Sequence, residues 1–290
     1  MEEEEGEAEV VAPSPAAVED NAAAVSSALF AELASEVRCS IVLALYSRQA
    51  KLSALARELD TTVQDVYRNI NRLAQAGLVR RADGNNFELT EMGMMAARQV
   101  PFFHFLAKNG EFINKHAIVE GGGGGGLPDK FVQRMGELEG CRPVSSVTLV
   151  LERLKKLESD AHRWLKIMIA QAWSEEGRIL AEAAGRGVEV WVLAGRNTVF
   201  PREVIEATQT LDKLRMTGRV NARMVDSVPA ALYVSDSQAA IVFPSFSGGA
   251  VEMSSALMGD DERSRGWCLD LFDHMWQESV PFDIKKTTIV

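Results

Sequence analysis

The stretch DTTVQDVYRNINRLAQAGLVRR, residues 60–81, predicts a short amphipathic helix that is followed by a basic pair. Its apolar side chains recur at helical spacing and therefore share one face: Val63, Val66, Ile70 and Leu73. Thr61 stands three residues before Gln64, which is the spacing of a capping box, and Thr62 is an alternative cap. Gly77 is typical of a helix end. We therefore expect one compact helix that buries a single face.

The opposite face of this helix carries polar side chains that suit the recognition of bases. They follow one another at helical spacing: Gln64, Tyr67, Arg68 and Asn71. Arginine pairs with guanine edges and glutamine or asparagine with adenine edges, and each good bidentate pair contributes about 1–3 kcal/mol of discrimination. Tyr67 can contact a thymine methyl group or bond a phosphate, and Arg72 adds a positive charge. This face is a candidate DNA-binding surface.

Two strand-like runs follow, on either side of an Asp-Gly-Asn tripeptide at 83–85 that is a strong hairpin signal. The order of helix, helix, turn, helix and hairpin is that of a winged helix-turn-helix, predicted over residues 27–98. Arg80 and Arg81 at the base of the wing can reach phosphates, and Asn85 at its tip can approach the minor groove. The alternative is a winged helix that contacts a protein, in an adaptor of the transcription machinery.

The formal net charge of −10 is unevenly distributed along the chain. Residues 1–26 hold eight acidic side chains and no basic one, and their Ala- and Pro-rich composition predicts a disordered acidic tail. Residues 48–81 hold seven basic and three acidic side chains, a local net charge of +4. A local basic surface is what an electrostatic footprint on DNA requires. The tail is then either a solubilising extension or a DNA mimic that competes for this surface.

The cysteines and the N-terminal sequence indicate the cellular compartment. Cys39, Cys141 and Cys268 are scattered and odd in number, which is typical of a reduced protein without a disulfide framework. No stretch approaches the roughly 18 uninterrupted apolar residues of a membrane span. The start MEEEEGEAEV is acidic where an export signal is basic and apolar. We therefore expect a cytoplasmic protein that does not enter a membrane.

The second half of the chain has a different organisation. A Phe-rich helical segment at 91–118 and six glycines at 121–126 predict a helical connector and linker over 99–126. Strands and helices then alternate over 127–290, which predicts an α/β domain with a mostly parallel sheet. The expected elements are helices at 129–138, 147–158, 174–185, 201–217 and 261–278, strands at 143–146, 164–171, 188–194 and 220–225, and a hairpin of 230–235 with 239–243.

Several segments resemble one group of regulators. SEVRCSIVLALYSRQAKLSALARELDTTVQDVYRNINRLAQAGLVRRADGNNFELTEMG resembles the DNA-binding half of archaeal winged-helix transcriptional regulators. FFHFLAKNGEFINKHAIVE, LPDKFVQRMGELEGC and GWCLDLFDHMWQESVPF resemble the C-terminal part of the archaeal FilR-type methanogenesis regulators. The resemblance implies an archaeal transcription factor whose C-terminal domain senses a ligand. The strand order and terminal hairpin also look like the phospholipase D-like fold of some archaeal sugar-sensing regulators.

Catalysis in the phospholipase D-like fold needs a His-x-Lys-x4-Asp motif, in which the histidine attacks phosphorus and the lysine stabilises the developing charge. The matching hairpin, AALYVSDSQAAIVFPS, has neither histidine nor lysine, and Asp236 alone supplies neither role. The four histidines lack metal-ligand spacing, and the chain has no Walker, GxSxG or dinucleotide-binding motif. The sequence predicts a non-enzyme that needs no metal or cofactor, with a phosphodiester-processing enzyme as the less favoured alternative.

The ends of the predicted strands indicate a small-molecule pocket, because ligands of open α/β sheets bind beyond the carboxyl ends of the strands. The candidate ligand-binding residues at these ends are Gln171, Trp173, Arg196, Asn197 and Asp226. Arg196 suits an anionic group, and Trp173 can form an apolar or stacking wall. Alternatively, Arg196 pairs with a local carboxylate and Trp173 belongs to the core.

Apolar side chains over 92–112 indicate where two copies would pair. Met92, Met94 and Met95, with the phenylalanines at 102–112, suit a core, a pocket between domains or a dimer seam, and we favour the seam. Regulators of this kind usually present two recognition helices to a near-palindromic site. The sequence thus predicts a homodimeric, sequence-specific DNA-binding transcriptional regulator. Its C-terminal domain senses a small ligand or mediates dimerisation and shifts the population of DNA-competent dimers.

Overall fold

The computed structural model describes residues 15–120, 125–204, 215–246, 251 and 253–290, without the side chains of residues 15–21 and Asn197. The chain divides into two compact units between Gln99 and Val100.

In the described part, the first unit consists of helices followed by a two-stranded antiparallel hairpin. Arg80 pairs with Glu88 across that hairpin. This is a winged helix-turn-helix, as the sequence predicts. The elements are α1 (Pro15–Leu33), α2 (Glu36–Tyr46), α3 (Leu52–Glu58), α4 (Val63–Gln75), β1 (Val79–Arg81) and β2 (Phe87–Leu89), and α5 (Glu91–Ile113) follows the hairpin.

Helix α4 begins and ends at the expected signals. The Thr62 side chain accepts a hydrogen bond from the Asp65 main-chain N–H at 3.1 Å, so that Thr62 is the cap. Gly77 adopts a φ of 75°, the left-handed conformation that glycine favours after a helix. The stripe formed by Val66, Ile70 and Leu73 is completely buried. Val63, predicted on the same face, is exposed, because it is the first helical residue and lies at the end of the stripe.

Helix α1 corrects the predicted extent of disorder. It begins at Pro15, so residues 15–26 are helical, whereas residues 1–14 lie outside the described residues. The reason is local composition, because alanine recurs at 16–17 and 22–24 and has the highest intrinsic helix propensity. The helix predicted over 27–47 is two helices, α1 and α2, separated at 34–35.

The second unit contains a nine-stranded mixed sheet in the order β10-β6-β5-β4-β7-β8-β9-β3, and β11 also pairs with β5. The α/β class is confirmed. The elements are α6 (Asp129–Val132), β3 (Arg142–Val144), α7 (Val147–Ser159), β4 (Trp164–Gln171), α8 (Glu176–Gly185), β5 (Glu189–Phe200), β6 (Val220–Val225), β7 (Ala231–Ser235), β8 (Ala239–Val242), β9 (Ala256–Gly259), α9 (Glu262–Gln277), β10 (Val280–Pro281) and β11 (Thr288–Ile289). The predicted helix over 129–138 is α6 and a separate 3-10 turn, Met135–Leu138.

The sheet is not mostly parallel, which corrects the sequence prediction. Strand β5 pairs in parallel with β4, β6 and β11, whereas β7 pairs with β4 and β8 in antiparallel fashion, and so do β8 with β9 and β3 with β9. The helical crossover through α8 makes the β4–β5 pair parallel, while the short turn between β7 and β8 only permits an antiparallel hairpin. Parallel pairing is thus confined to one part of the sheet.

Strand β5 is longer than the predicted 188–194. It continues to Phe200, so Gly195, Arg196 and Asn197 lie within the strand and not beyond its end. The register of the β4–β5 pair shifts between Ile169 and Gln171, and Gln171 then pairs with Val199. The pairing of β5 with β4 therefore continues beyond residue 194, where β5 was predicted to end. The predicted helix over 201–217 lies mostly outside the described residues.

Successive residues of a strand point to opposite faces of a sheet, and two apolar clusters cover the two faces of this one. Leu165 and Ile167 of β4 belong to the cluster that contains Leu154 of α7 and Leu180 of α8. Met168 belongs to the other cluster, with Trp267 and Leu271 of α9 and with Phe105 and Phe112 of α5. The second unit is therefore a sheet between two helical layers.

No helix of the described residues is long and apolar enough to cross a membrane. Within the same residues, no three His, Cys, Asp or Glu side chains are grouped so that they could hold a metal ion.

Candidate nucleic-acid interface

The outer face of α4 is a continuous polar surface. It lies opposite the buried stripe, and every side chain of this helix that was predicted to contact DNA is exposed: Gln64, Tyr67, Arg68, Asn71 and Arg72. Gln64, Tyr67 and Asn71 are uncharged side chains that can both donate and accept hydrogen bonds, and the Arg68 guanidinium is a donor. The structure therefore brings the five predicted residues together on one accessible face.

Arg68 is held in position by the first turn of its own helix. Its Nη2 donates to the Asp65 carboxylate at 2.7 Å, and the same carboxylate accepts the Thr62 hydroxyl at 2.8 Å. The Arg68 side chain nevertheless remains 74% exposed. A pair of this kind contributes about 0–1 kcal/mol, so a guanine edge can replace the carboxylate at little cost.

Arg72 is tied to α1 by a carboxylate. Its Nη2 donates to Glu32 Oε1 at 2.6 Å, and Arg38 Nε lies 3.1 Å from Glu32 Oε2. The hydrogen bond from Arg72 lowers the pKa of Glu32 against the opposing effect of burial. Arg38 also donates to the main-chain oxygens of Ala31 and Glu32. Arg72 is thus both a member of the exposed face and a contact that joins α4 to α1.

The wing presents two arginines in different surroundings. Arg80 Nε donates to Glu88 Oε1 at 2.8 Å across the hairpin, and its side chain is 67% exposed. The Arg81 guanidinium lies 6.0 Å from the centre of the Phe87 ring. At the exposed tip, Asn85 has a φ of 62° directly after Gly84 with a φ of 66°, consecutive left-handed residues of the kind found in tight hairpins.

Three acidic residues of this interface were not predicted. Each forms an ion pair with one predicted arginine: Asp65 with Arg68, Glu32 with Arg72 and Glu88 with Arg80. The Asp65–Arg68 pair could have been found, because a separation of three residues places side chains side by side on a helix. Glu32 is 40 residues from its partner in sequence, and no local pattern indicates such a contact.

The predicted small-molecule site is arranged differently from expectation. Arg196 Nε donates to the Asp226 carboxylate. The Trp173 ring lies 5.6 Å from that of Tyr233 and packs against a core cluster, while Gln171 is exposed. Asn197 is the candidate whose side chain is not described. Arg196 is therefore paired with a local carboxylate, as in the alternative left open by the sequence, and Trp173 is half-buried beside the core.

A buried acidic pair lies close to Trp173. Glu158 of α7 and Glu176 of α8 are completely buried, and the Tyr233 hydroxyl is 3.5 Å from Glu176 Oε1. Burial raises the pKa of Glu176 to about 8, against the Trp173 main-chain amide and the Tyr233 hydroxyl. Burial, reinforced by the charge of Glu176, raises the pKa of Glu158 well above its ordinary value. Both oxygens of Glu158 lack a hydrogen-bond donor among the described residues. Both carboxyls therefore keep their protons to a higher pH than an exposed glutamate does.

The exposed recognition face and the wing define the class of the first unit. Residues 33–82 match the family model described as a helix-turn-helix domain. This stretch covers α2, α3, α4 and β1, and includes most of the predicted base contacts. The first unit has the winged helix-turn-helix fold, which many proteins use to bind DNA.

Several proteins of known structure are similar to the chain at low identity. The chain is similar to TrmBL2, an archaeal chromatin protein with a novel mode of DNA binding, at 12% identity and a TM-score of 0.41 over 86% of this chain and 94% of that one. It is similar to Nuc, a phospholipase D family member from Salmonella typhimurium, at 14% identity and a TM-score of 0.36 over 46% and 90%. The transcriptional repressor BigR from Xylella fastidiosa is similar at 19% identity and a TM-score of 0.28 over 33% and 96%. No curated protein sequence matches the chain. At such low TM-scores these likenesses assign no function.

Proposed function

We propose that the chain is a sequence-specific DNA-binding transcriptional regulator that recognises a promoter site through α4. The observation that carries this proposal is the exposed face of α4, on which Gln64, Arg68 and Asn71 lie together opposite a completely buried stripe. Side chains of these types form bidentate contacts with purine edges in the major groove. A face that only met solvent would have no need for this combination of donors and acceptors.

The wing adds contacts that fix the position of α4 without reading the sequence. Arg80 and Arg81 stand on the strand that follows the recognition helix, and both are exposed to solvent. They reach phosphates beside the groove, while Asn85 at the tip approaches the minor groove. Phosphate contacts of this kind supply affinity that falls steeply with salt.

The second unit senses a small ligand or joins two copies of the chain, and thereby changes the population of DNA-competent molecules. A homodimer presents two α4 helices to half-sites about one helical turn apart. The resemblance to archaeal FilR-type regulators supports this division of labour, and the protein then works in the cytoplasm. The predicted effector contacts are Gln171, Trp173, Arg196, Asn197 and Asp226. A ligand that binds there must replace the hydrogen bond between Arg196 and Asp226.

Fluorescence anisotropy with the full chain tests the DNA-binding proposal. A duplex from the promoter upstream of its own gene is compared with a scrambled duplex of equal length over a salt series. A preference for the promoter that persists at physiological salt supports the proposal. Equal binding that salt abolishes on both duplexes contradicts it and favours the alternative of a winged helix that contacts a protein.

A further inference from the structure

A cavity of about 480 Å³ lies in the second unit, on the side where α7 meets the edge of the sheet. Arg142 of β3 and Arg153 and Lys156 of α7 line it, together with Gln238 before β8 and Asp260 after β9. Its volume is in the range of small-molecule sites, about 300–1,000 Å³. It shares none of its lining residues with the predicted effector contacts.

The three cations of this cavity make no ion pair within the described part of the chain. None of the Arg142, Arg153 and Lys156 side chains has an ion pair or a hydrogen bond to the described residues. Neighbouring cations behave differently, because Lys155 pairs with Glu175 and Arg163 with Asp236. Three positive charges therefore face one cavity that contains a single carboxylate. This excess of positive charge favours an anionic ligand.

The cavity wall is tightly packed at the point where the sheet ends. A Cβ atom at Gly259 would lie 2.8 Å from Cys141 Sγ, and one at Gly140 would lie 2.2 Å from Asp261 Oδ2. Asp261 in turn caps α9 by accepting the Ser264 N–H at 3.0 Å. The main chain before Arg142 and before Asp260 is thus packed closely against the start of α9.

We propose that this cavity binds a small phosphorylated metabolite, whose phosphate lies among Arg142, Arg153 and Lys156. Guanidinium groups match the geometry of phosphate oxygens and bind them in bidentate fashion, and an ammonium adds a point charge. The Asp260 carboxylate and the Gln238 amide are suited to hydroxyl groups on the remainder of the ligand. The metabolite is a second effector of the proposed regulator, bound apart from the predicted contacts at Gln171, Arg196 and Asp226, and only this assignment of a role rests on the proposed function.

Isothermal titration calorimetry of the full chain tests the site without DNA. The probes are glycerol 3-phosphate and inorganic pyrophosphate, with glycerol as the uncharged control. Saturable binding of one phosphorylated probe per chain is expected, with no heat from glycerol. Arg153→Ala and Arg142→Ala should each weaken binding at least about ten-fold. Lys155→Ala is the matched control, because Lys155 lies on the same helix outside the cavity, and it should change binding less than about two-fold.

Three outcomes would overturn the proposal. Neither phosphorylated probe saturates the protein at concentrations up to about 10 mM, or Lys155→Ala weakens binding as much as Arg153→Ala does. In the third, Arg153→Ala weakens binding to a random duplex and leaves phosphate binding unchanged, so that the cavity is a contact for DNA. The anisotropy experiment on the promoter and scrambled duplexes is independent of these titrations. It can therefore show that the DNA-binding proposal holds even where the phosphate site does not.

Discussion

Replacing Glu176 by glutamine is expected to stabilise the second unit at neutral pH. Glu176 and Glu158 are completely buried, and burial raises the pKa of Glu176 from 4.5 to about 8 and that of Glu158 well above 4.5. The unfolded chain ionises both groups near their ordinary values. Between about pH 5 and pH 7 the folded state therefore holds more protons than the unfolded state, and the free energy of unfolding falls as the pH rises. The stabilisation is complete below the unfolded pKa and is lost as the pH rises through the folded pKa.

The size of the effect follows from the raised pKa of Glu176. One proton retained by the folded state corresponds to about 1.4 kcal/mol per pH unit. Neutral pH is about 2.5 units above the ordinary value of 4.5 and still below the raised value of about 8. Glu176→Gln, which has a similar shape and no charge, should therefore raise the free energy of unfolding by about 3 kcal/mol at pH 7 and change it little near pH 4.

Urea unfolding followed by tryptophan fluorescence measures this effect in the second unit alone, because all five tryptophans lie between 164 and 276. Glu175→Gln is the matched control, since Glu175 is exposed and its hydrogen bond from Lys155 lowers its pKa. It should not stabilise the unit at pH 7. The reasoning is refuted if the wild-type free energy of unfolding stays constant or rises from pH 5 to pH 7. It is equally refuted if the two glutamine variants respond alike.

Substitutions in the first unit test the other roles. Arg68→Ala should weaken binding to the promoter duplex by about ten-fold or more and binding to a scrambled duplex far less, as anisotropy would measure. An unchanged ratio would remove Arg68 from the base contacts. Arg80→Ala combined with Arg81→Ala should weaken both duplexes similarly and reduce the salt slope by about two, and a loss on the promoter alone would contradict a phosphate role. Arg72→Ala removes the ion pair that joins α4 to Glu32 of α1. Local opening of α1 should become easier, so hydrogen exchange of the α1 amides should become about two- to five-fold faster. Unchanged exchange would show that the Arg72–Glu32 contact does not hold α1.

The elements with local signals were predictable from the sequence. The Thr62 cap, the Gly77 end and the hairpin tripeptide each act within a few residues, and α4 and the wing lie where these signals place them. Strands β4 and β6 match the predicted 164–171 and 220–225, because apolar side chains predominate in both segments. Local chemistry also placed the exposed polar residues of α4 on one face.

Features that depend on distant partners were not predictable. Whether two strands pair in parallel or antiparallel fashion depends on which strands become neighbours in the sheet. The sequence of one strand does not indicate the direction of its neighbour. Glu158 and Glu176 lie on helices where glutamate ordinarily faces solvent, so nothing local indicates their burial. Arg196 was expected beyond a strand end, but the extension of β5 to Phe200 and its pairing with β6 place it within reach of Asp226.

The acidic partners of the predicted DNA contacts have a consequence for specificity. Arg68, Arg72 and Arg80 each keep a carboxylate neighbour in the free protein. A phosphate that approaches any of them meets a nearly neutral pair, so attraction to random DNA is weaker than the number of arginines suggests. A guanine edge offers two aligned acceptors and can replace the exposed Asp65 carboxylate at Arg68. In a chain with a net charge of −10, this exchange would favour base recognition over non-specific binding, as the proposed role of selecting one promoter requires.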